Sequence, residues 1–361
     1  MRTSIVFILP SYAGGGAERV IITLLNSLDR KKFKPILIVL NCQGPLKTLV
    51  KDDINVVNLN IERLRWSIFR LIVVLRNIKP CAIVSTFGYI NVALLASRPF
   101  LLNSPKIIIR EANTPSKSLV SANWTGLVRF MYRKFYPKAD AVICNADIVA
   151  SELISQFKLP KAKVFRLNNP IDIEMIRDLA QKPPGSKKEG LRFVAAGRLC
   201  YQKGFDRLIE DFSRTPINYQ LTILGRGSDE VFLKKKIIKN GIENRVKIKN
   251  FETEPWAEYS NADAFLLSSR WEGMSNAALE SLACGTPVIA TPESGGIAEL
   301  IACNNSPVTL ASSGDDFLKA ILEVSENSYR RPRPSLLPEA WSLSQVAIKF
   351  EDLLVSITTK S

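Results

Sequence analysis

Two acids, two cations and a run of glycines are the residues of this 361-residue chain whose types and spacing could do chemistry. Glu272 and Glu280 lie in SSRWEGMSNAALESLACGTPVIAT (268–291), which opens at the end of an apolar run, turns at Glu272-Gly273 and enters a helical pattern near Ser275. A helix N-terminus placed after a parallel strand offers unpaired N–H groups and a positive dipole to a phosphate or a sugar hydroxyl, and serine is a residue type that caps such an end. Two carboxylates there can accept hydrogen bonds from diols; they can equally be ordinary helix-start and surface acids, and spacing leaves both readings open. In AAGRLCYQKGFDRLIEDF (195–212), Arg198 and Lys203 flank a loop at a strand end. They could clamp the two phosphates of a nucleoside diphosphate without a metal, or stand as solvated loop cations. Gly225-Arg226-Gly227 follows another strand, where a tight turn is the simpler meaning. SYAGGGAERV (11–20) puts three glycines at a strand-to-helix turn, yet it lacks the GxGxxG spacing and the following acid of a self-sufficient dinucleotide site.

Histidine is absent from the chain, which removes Ser-His-Asp triads, Cys-His dyads, His-ligated zinc and every imidazole acid or base. Six cysteines are widely spaced, mostly in apolar runs and without a CxxC pair, and read as small buried hydrophobes of a reducing compartment. The acids at 52–53 and 315–316 are adjacent rather than spaced as ligands that hold Mg²⁺ against a diphosphate, so no metal site is expected. Chemistry here must use carboxylates, amines, hydroxyls and backbone amides.

Positioning such groups takes two sets of alternating elements. In the first half SIVFILP, PILIVL, CAIVST, KIIIRE and AVICN read as strands, and AERVIITLLNSL, SIFRLIVVLRNI, GLVRFMYRKFY and IVASELISQF as helices. The second half repeats the pattern with RFVAAGR, QLTILG, RVKIKN, AFLLSS and PVIAT around helices such as GFDRLIEDF and NAALESLACG. This alternation predicts an α/β protein of two Rossmann-like domains, each with a buried parallel sheet, facing each other across a cleft with ligands at the carboxyl ends of the strands. The chain is too long for one ordinary core. The linker composition within 169–190 divides it into domains of 1–170 and 171–341. By pattern alone the last helix, SLSQVAIKFEDLLVSI (342–357), could pack on either domain. Arginine interrupts both of the longest apolar stretches before they reach the ~18 uncharged residues of a spanning helix. The N-terminus shows no cleavage site of a signal peptide.

GGGAERV (14–20), NPID (169–172), GRLxxQKGFDRLI (197–209), ILGRG (223–227) and EGMSNAALESLACGTPVIAT (272–291) occur together and in this order. In that conjunction the chain resembles the retaining glycosyltransferases of the two-domain GT-B type and the GT4 class, from residue 4 to about residue 355, the Glu-x7-Glu block being the most diagnostic part. GGAERV and the basic first half are also similar to transferases that extend undecaprenyl-diphosphate-linked sugars. The resemblance implies a final helix that crosses back and completes the first domain with about residues 342–361. It implies a nucleotide-sugar donor as co-substrate, usually a UDP-sugar, held by the second domain. Position by position, Arg198 and Lys203 would bind the donor diphosphate and stabilise the charge developing on the leaving group. Glu280 would accept from the ribose hydroxyls and Glu272 from those of the donor sugar, with the backbone of Gly273, Met274, Ser275 and Asn276 along the phosphate and sugar. Gly15 and Gly16 would approach the diphosphate from the first domain, with Gly14 beside them on the acceptor side. One departure stands out: members usually carry a histidine just after a strand of the first domain, where this chain reads KIIIREANTP (106–115). Glu111 and Asn113 are the local substitutes for its sugar or acceptor contact, although Glu111 could also merely cap the loop. In front-face retaining transfer the leaving phosphate itself can take the acceptor proton, so the chemistry survives the loss.

The formal charge of +15 is uneven: residues 1–170 carry 25 Lys and Arg against 9 Asp and Glu, while residues 171–361 carry 24 against 25. Such asymmetry points to an anionic partner for the first half. Two segments could present it. One has Leu64, Ile68, Leu71, Ile72 and Leu75 at helical spacing with Arg63, Arg65, Arg70, Arg76 and Lys79 around them. The other mixes Arg129, Arg133, Lys134 and Lys138 with Trp124, Phe130, Phe135 and Tyr136. Either could lie on an anionic bilayer or simply face the core as a Rossmann helix does. No nucleic-acid motif accompanies the charge. The expectation is therefore a metal-independent glycosyltransferase, cytoplasmic and peripheral to the inner face of the membrane, acting on a lipid-linked or membrane-associated glycan of a surface polysaccharide. Another enzyme of the same fold, such as a nucleotide-sugar epimerase or sugar phosphorylase, or a non-catalytic basic binding module, is the alternative.

Overall fold

Strands buried on both faces need near-continuous apolar runs, and the described residues of this chain form thirteen strands in two wholly parallel sheets. The computed structural model describes residues 2–61, 64–120, 125–180, 190–250, 254–302, 306–324 and 333–359. Arg63, Trp124, Cys303 and most of the linker (181–189) lie outside the described residues, as do the side chains of Leu64 and Arg65.

The chain divides into two units, residues 1–170 with 343–361 and residues 171–342. The first holds β1 (Thr3–Leu9), β2 (Phe33–Val39), β3 (Asn55–Asn58), β4 (Ala82–Thr86), β5 (Lys106–Glu111), β6 (Ala141–Cys144) and β7 (Val164–Arg166), in the order β3-β2-β1-β4-β5-β6-β7. The second holds β8 (Arg192–Ala196), β9 (Gln220–Leu224), β10 (Val246–Lys249), β11 (Ala264–Leu267), β12 (Val288–Ala290) and β13 (Val308–Leu310), in the order β10-β9-β8-β11-β12-β13. Strand order reverses between β1 and β4 in one sheet and between β8 and β11 in the other. At such a switch point the connections leave on opposite faces and open a crevice at the carboxyl ends.

Three of these strands, β3, β7 and β13, have no counterpart among the strands read from sequence. Each is an edge strand of only three or four residues that is largely accessible to solvent. An edge needs only one apolar side, so periodicity is too brief to show.

The helix Leu343–Thr358 settles where the last amphipathic pattern packs: Val346, Phe350, Leu354 and Ile357 join the core of the first unit. Phe350 is fully buried with its ring 6.1 Å from that of Phe7 in β1, and Glu351 accepts from the backbone N–H of Asp29 at 2.6 Å. Cys144 and Cys284 are buried as expected, but Cys81, at the start of β4, is exposed: it precedes the sheet core rather than lying within it. Among the described residues no helix is long and apolar enough to cross a membrane. Because Phe350 closes the first core from outside its own sheet, Phe350→Ala should destabilise the protein by about 3–5 kcal/mol, read as a lowered urea midpoint at unchanged slope.

Candidate functional site

In the second unit the carboxyl ends of β8 and β11 bring Arg198, Lys203 and Glu272 to the switch point. After β8 the chain passes Gly197-Arg198 into a short turn, Tyr201–Lys203, and then the helix Phe205–Ser213. The Lys203 stem lies back across the strand end, where a Cβ on Gly197 would stand 2.9 Å from its Cε. Its ammonium makes a short ion pair with the Glu272 carboxylate, and both side chains are largely withdrawn from solvent. Ser269 Oγ donates to the same Glu272 oxygen at 2.9 Å. The two loops are further joined by Arg207, which donates to the carbonyls of Ser268 (2.9 Å) and Ser269 (2.8 Å), and by Ser268 Oγ, which donates to the Lys203 carbonyl at 3.0 Å. Arg270 clamps Asp206 through two bonds of 2.7 and 2.8 Å, and its guanidinium lies 4.0 Å from the centre of the Tyr201 ring. Arg198 differs: it is exposed, and among the described residues it has no hydrogen-bond or ion-pair partner.

Ser275 caps the helix Asn276–Ala283, accepting from Ala278 N–H at 3.4 Å, as its residue type predicts. Glu280 sits inside this helix, buried, with one carboxylate oxygen accepting from the Trp256 indole at 3.2 Å. Gly273, Met274 and Ser275 are buried along the turn that leads from Glu272 to the helix. Gly295 presses on this turn: at φ +72° its Cβ would meet the Glu272 carbonyl at 2.2 Å, so only glycine fits. Gly225 and Gly227 prove to serve close packing rather than a left-handed turn, since a Cβ on either would strike the Gly197 or Leu199 carbonyl at 2.2 Å.

The first unit places Gly14, Gly15, Gly16 and Glu111 at the carboxyl ends of its strands. Gly14 has φ +91°, and Gly15 precedes the helix Gly16–Ser27. The Gly15 position is explained locally: a Cβ there would lie 2.3 Å from the carboxylate of buried Glu18. Glu111 ends β5 and is buried, accepting from the phenol of fully buried Tyr136 at 2.7 Å. Tyr132 stacks on Tyr136 with ring centroids 4.2 Å apart, while Asn91 donates to the Tyr136 oxygen at 3.3 Å and accepts from Ser85 at 2.7 Å. Burial lifts the Glu111 carboxyl to about 7, against the opposing effects of the Tyr136 hydrogen bond and Arg110. Glu111 is thus a member of a buried network rather than a loop cap. Asn113 is half-buried and accepts from the Thr114 N–H at 3.0 Å, so it caps its own loop.

Several of these partners were not legible. Tyr136, which the sequence groups with the cations and aromatics of one segment without fixing its facing, is wholly buried under Glu111, because it lies on the inner side of the turn after the helix Thr125–Phe135. That helix does expose Leu127, Phe130, Arg129, Arg133 and Lys134. In the helix Leu64–Ile78, Leu71 and Leu75 turn to the core while Phe69 and Val73 stay exposed. The adjacent acids are accounted for at the surface, where Asp53 pairs with Arg30 and Asp315 with Arg214. Among the described residues no group of three or more acidic or cysteine side chains could hold a metal ion.

The model of "Glycosyltransferase Family 4" matches residues 14–175, and that of "Glycosyl transferases group 1" matches residues 176–335. The chain is 30% identical over 333 residues to the N-acetylgalactosamine-N,N'-diacetylbacillosaminyl-diphospho-undecaprenol 4-alpha-N-acetylgalactosaminyltransferase of Campylobacter jejuni, covering 88% of this chain and 86% of that protein. It is 25% identical to the lipopolysaccharide core biosynthesis glycosyltransferase LpsE of Rhizobium meliloti, covering 88% and 87%. Among solved structures, Anabaena HepE in complex with UDP and glucose superposes with a TM-score of 0.79 at 19% identity, covering 98% of this chain and all of that one.

The Glu111 environment has a measurable consequence. The folded protein keeps on this carboxyl a proton that the unfolded chain, with an ordinary value near 4.5, has released. The stability it contributes is therefore complete below about pH 4.5 and lost as pH rises through about 7. Glu111→Gln should flatten that fall, seen as a smaller difference in urea midpoint between about pH 5 and about pH 8 than in the wild type.

Proposed function

The chain belongs to Glycosyltransferase Family 4, and we propose that it is a retaining, metal-independent transferase moving a sugar from a nucleoside diphosphate donor, probed first as UDP-sugar, to a lipid-linked glycan in surface polysaccharide assembly. The observation that carries this reading is the grouping of exposed Arg198 with the Lys203–Glu272 pair at the β8/β11 switch point, beside a capped helix N-terminus. A diphosphate there meets two cations and the positive end of a helix without a metal. Glu280 takes the ribose hydroxyls, Glu272 the donor-sugar hydroxyls, and the 273–276 backbone follows the phosphate. In the first unit Gly14, Glu111 and Asn113 belong to the acceptor side, and Gly15 and Gly16 to the diphosphate.

In the proposed transfer the acceptor oxygen attacks the anomeric carbon on the face that the diphosphate leaves. The anomeric C–O bond breaks, and the acceptor proton passes to the departing phosphate, whose charge Arg198 and Lys203 stabilise. Donor arrival requires the phosphate to compete with Glu272 for the Lys203 ammonium, which frees the carboxylate for the sugar hydroxyls. The substrate in the Campylobacter relative's name supports a lipid-linked acceptor, and the UDP of the HepE complex supports the choice of UDP as first probe. The exposed Leu127 and Phe130 among Arg129, Arg133 and Lys134 give the first unit an apolar and basic surface suited to an anionic bilayer, which supports a peripheral membrane location.

Thermal-shift titration with UDP, GDP, ADP and their sugars tests the donor assignment, since ligand at about 100 times its Kd adds about 2.7 kcal/mol to stability. One nucleotide class should raise the melting temperature, and no response to any of them would sink the reading. Lys203→Ala should lower kcat by about 10²–10³, measured by nucleotide release with a diphosphate-linked sugar acceptor. Glu280→Ala should abolish the nucleotide shift and leave binding to anionic vesicles intact.

A further inference from the structure

Phe87 follows β4 at the switch point of the first sheet with φ +73° and ψ +119°, a conformation that side-chain-bearing residues rarely adopt. It is pinned there from both sides. Its carbonyl accepts from the N–H groups of Ile90 (3.0 Å) and Asn91 (2.9 Å), and at Gly88 the Tyr132 hydroxyl occupies the space a Cβ would need, 1.5 Å away. Backbone strain of this kind persists where surrounding structure over-determines it, and it gathers at ligand clamps. Its effect is to set the Phe87 ring beside that of Tyr89, with centroids 6.1 Å apart and planes inclined by 39°. Tyr89 is 49% exposed, although a polar tip on an apolar ring could have packed inward. Burial, with the charge of Glu18 in the first turn of the helix Gly16–Ser27, raises the Tyr89 phenol. Two tilted aromatic rings, one of them half exposed, match a pyranose, which offers an apolar C–H face to rings.

The geometry points to Phe87 and Tyr89 as a subsite for a sugar ring of the acceptor. This rests on the reading of the first unit as the acceptor side. It adds to the Gly14–Gly16 loop and Glu111 a surface that selects a ring rather than a phosphate, so the acceptor class is one whose attacking hydroxyl sits on a hexose or N-acetylhexosamine.

Saturation-transfer NMR with octyl N-acetylhexosaminides and octyl hexosides as probes tests it in the full-length protein with UDP present. The wild type should give ring-proton signals from at least one probe, weakened about tenfold in both Tyr89→Ala and Phe87→Gly. The UDP-induced shift should persist in both variants. Signals that survive unchanged in both folded variants, or that are absent from the wild type with every probe, overturn the subsite. A wild type that shows sugar signals lost in the variants but no nucleotide-induced shift overturns the donor assignment and leaves the subsite standing.

Discussion

Lys203 and Glu272 are drawn together out of solvent at the ends of two neighbouring parallel strands, and much of the second unit is arranged around their contact. Withdrawing two charges from water is costly unless their geometry is good and their remaining hydrogen-bonding capacity is met. Ser269 donates a further hydrogen bond to Glu272, and the glycines at 197 and 295 make room for the Lys203 stem and the Glu272 turn. Arg207 and Ser268 tie the loops that carry the two residues, so the ammonium and the carboxylate hold fixed positions before any ligand arrives. In the proposed transfer a phosphate would meet a positioned cation, which is the form of electrostatic stabilisation that requires least reorganisation during reaction.

The first unit handles an acid differently. Glu111 is buried with a phenol as its hydrogen-bond donor, and burial raises it to about 7. One carboxylate therefore sits beside a lysine and the other in a neutral network of Tyr136, Asn91 and Ser85. Environment thus separates the chemistry of two residues of the same charge class. The segment 125–138 joins this network to the surface: Phe130 and its neighbouring cations face solvent, while Tyr132 and Tyr136 reach beneath the strand ends.

Much of this was legible from residue order. Long apolar runs such as those of β1 and β5 announce a buried parallel strand wherever it lies, and a serine before an apolar helix announces its cap, as at Ser275. The short edges β3, β7 and β13 did not announce themselves, because half-exposed strands of three or four residues carry too little periodicity. Tyr136 stays undecided by sequence for a related reason: helical spacing shows that aromatics and cations share a segment, but not that the chain tightens into a 3₁₀ turn there and sends one ring inward.

The sequence by itself determined the two α/β halves, the strand ends that carry Arg198, Lys203, Glu272 and Glu111, and the exclusion of imidazole chemistry, since each follows from residue type and local spacing. Only the tertiary structure decided who meets whom. Lys203 finds Glu272 across 69 residues, Tyr136 finds Glu111 across 25, and the last helix chooses the first unit's core. Contacts of that kind depend on strand order and on the room left by glycines, which are properties of the folded sheet and leave no periodic trace in the chain.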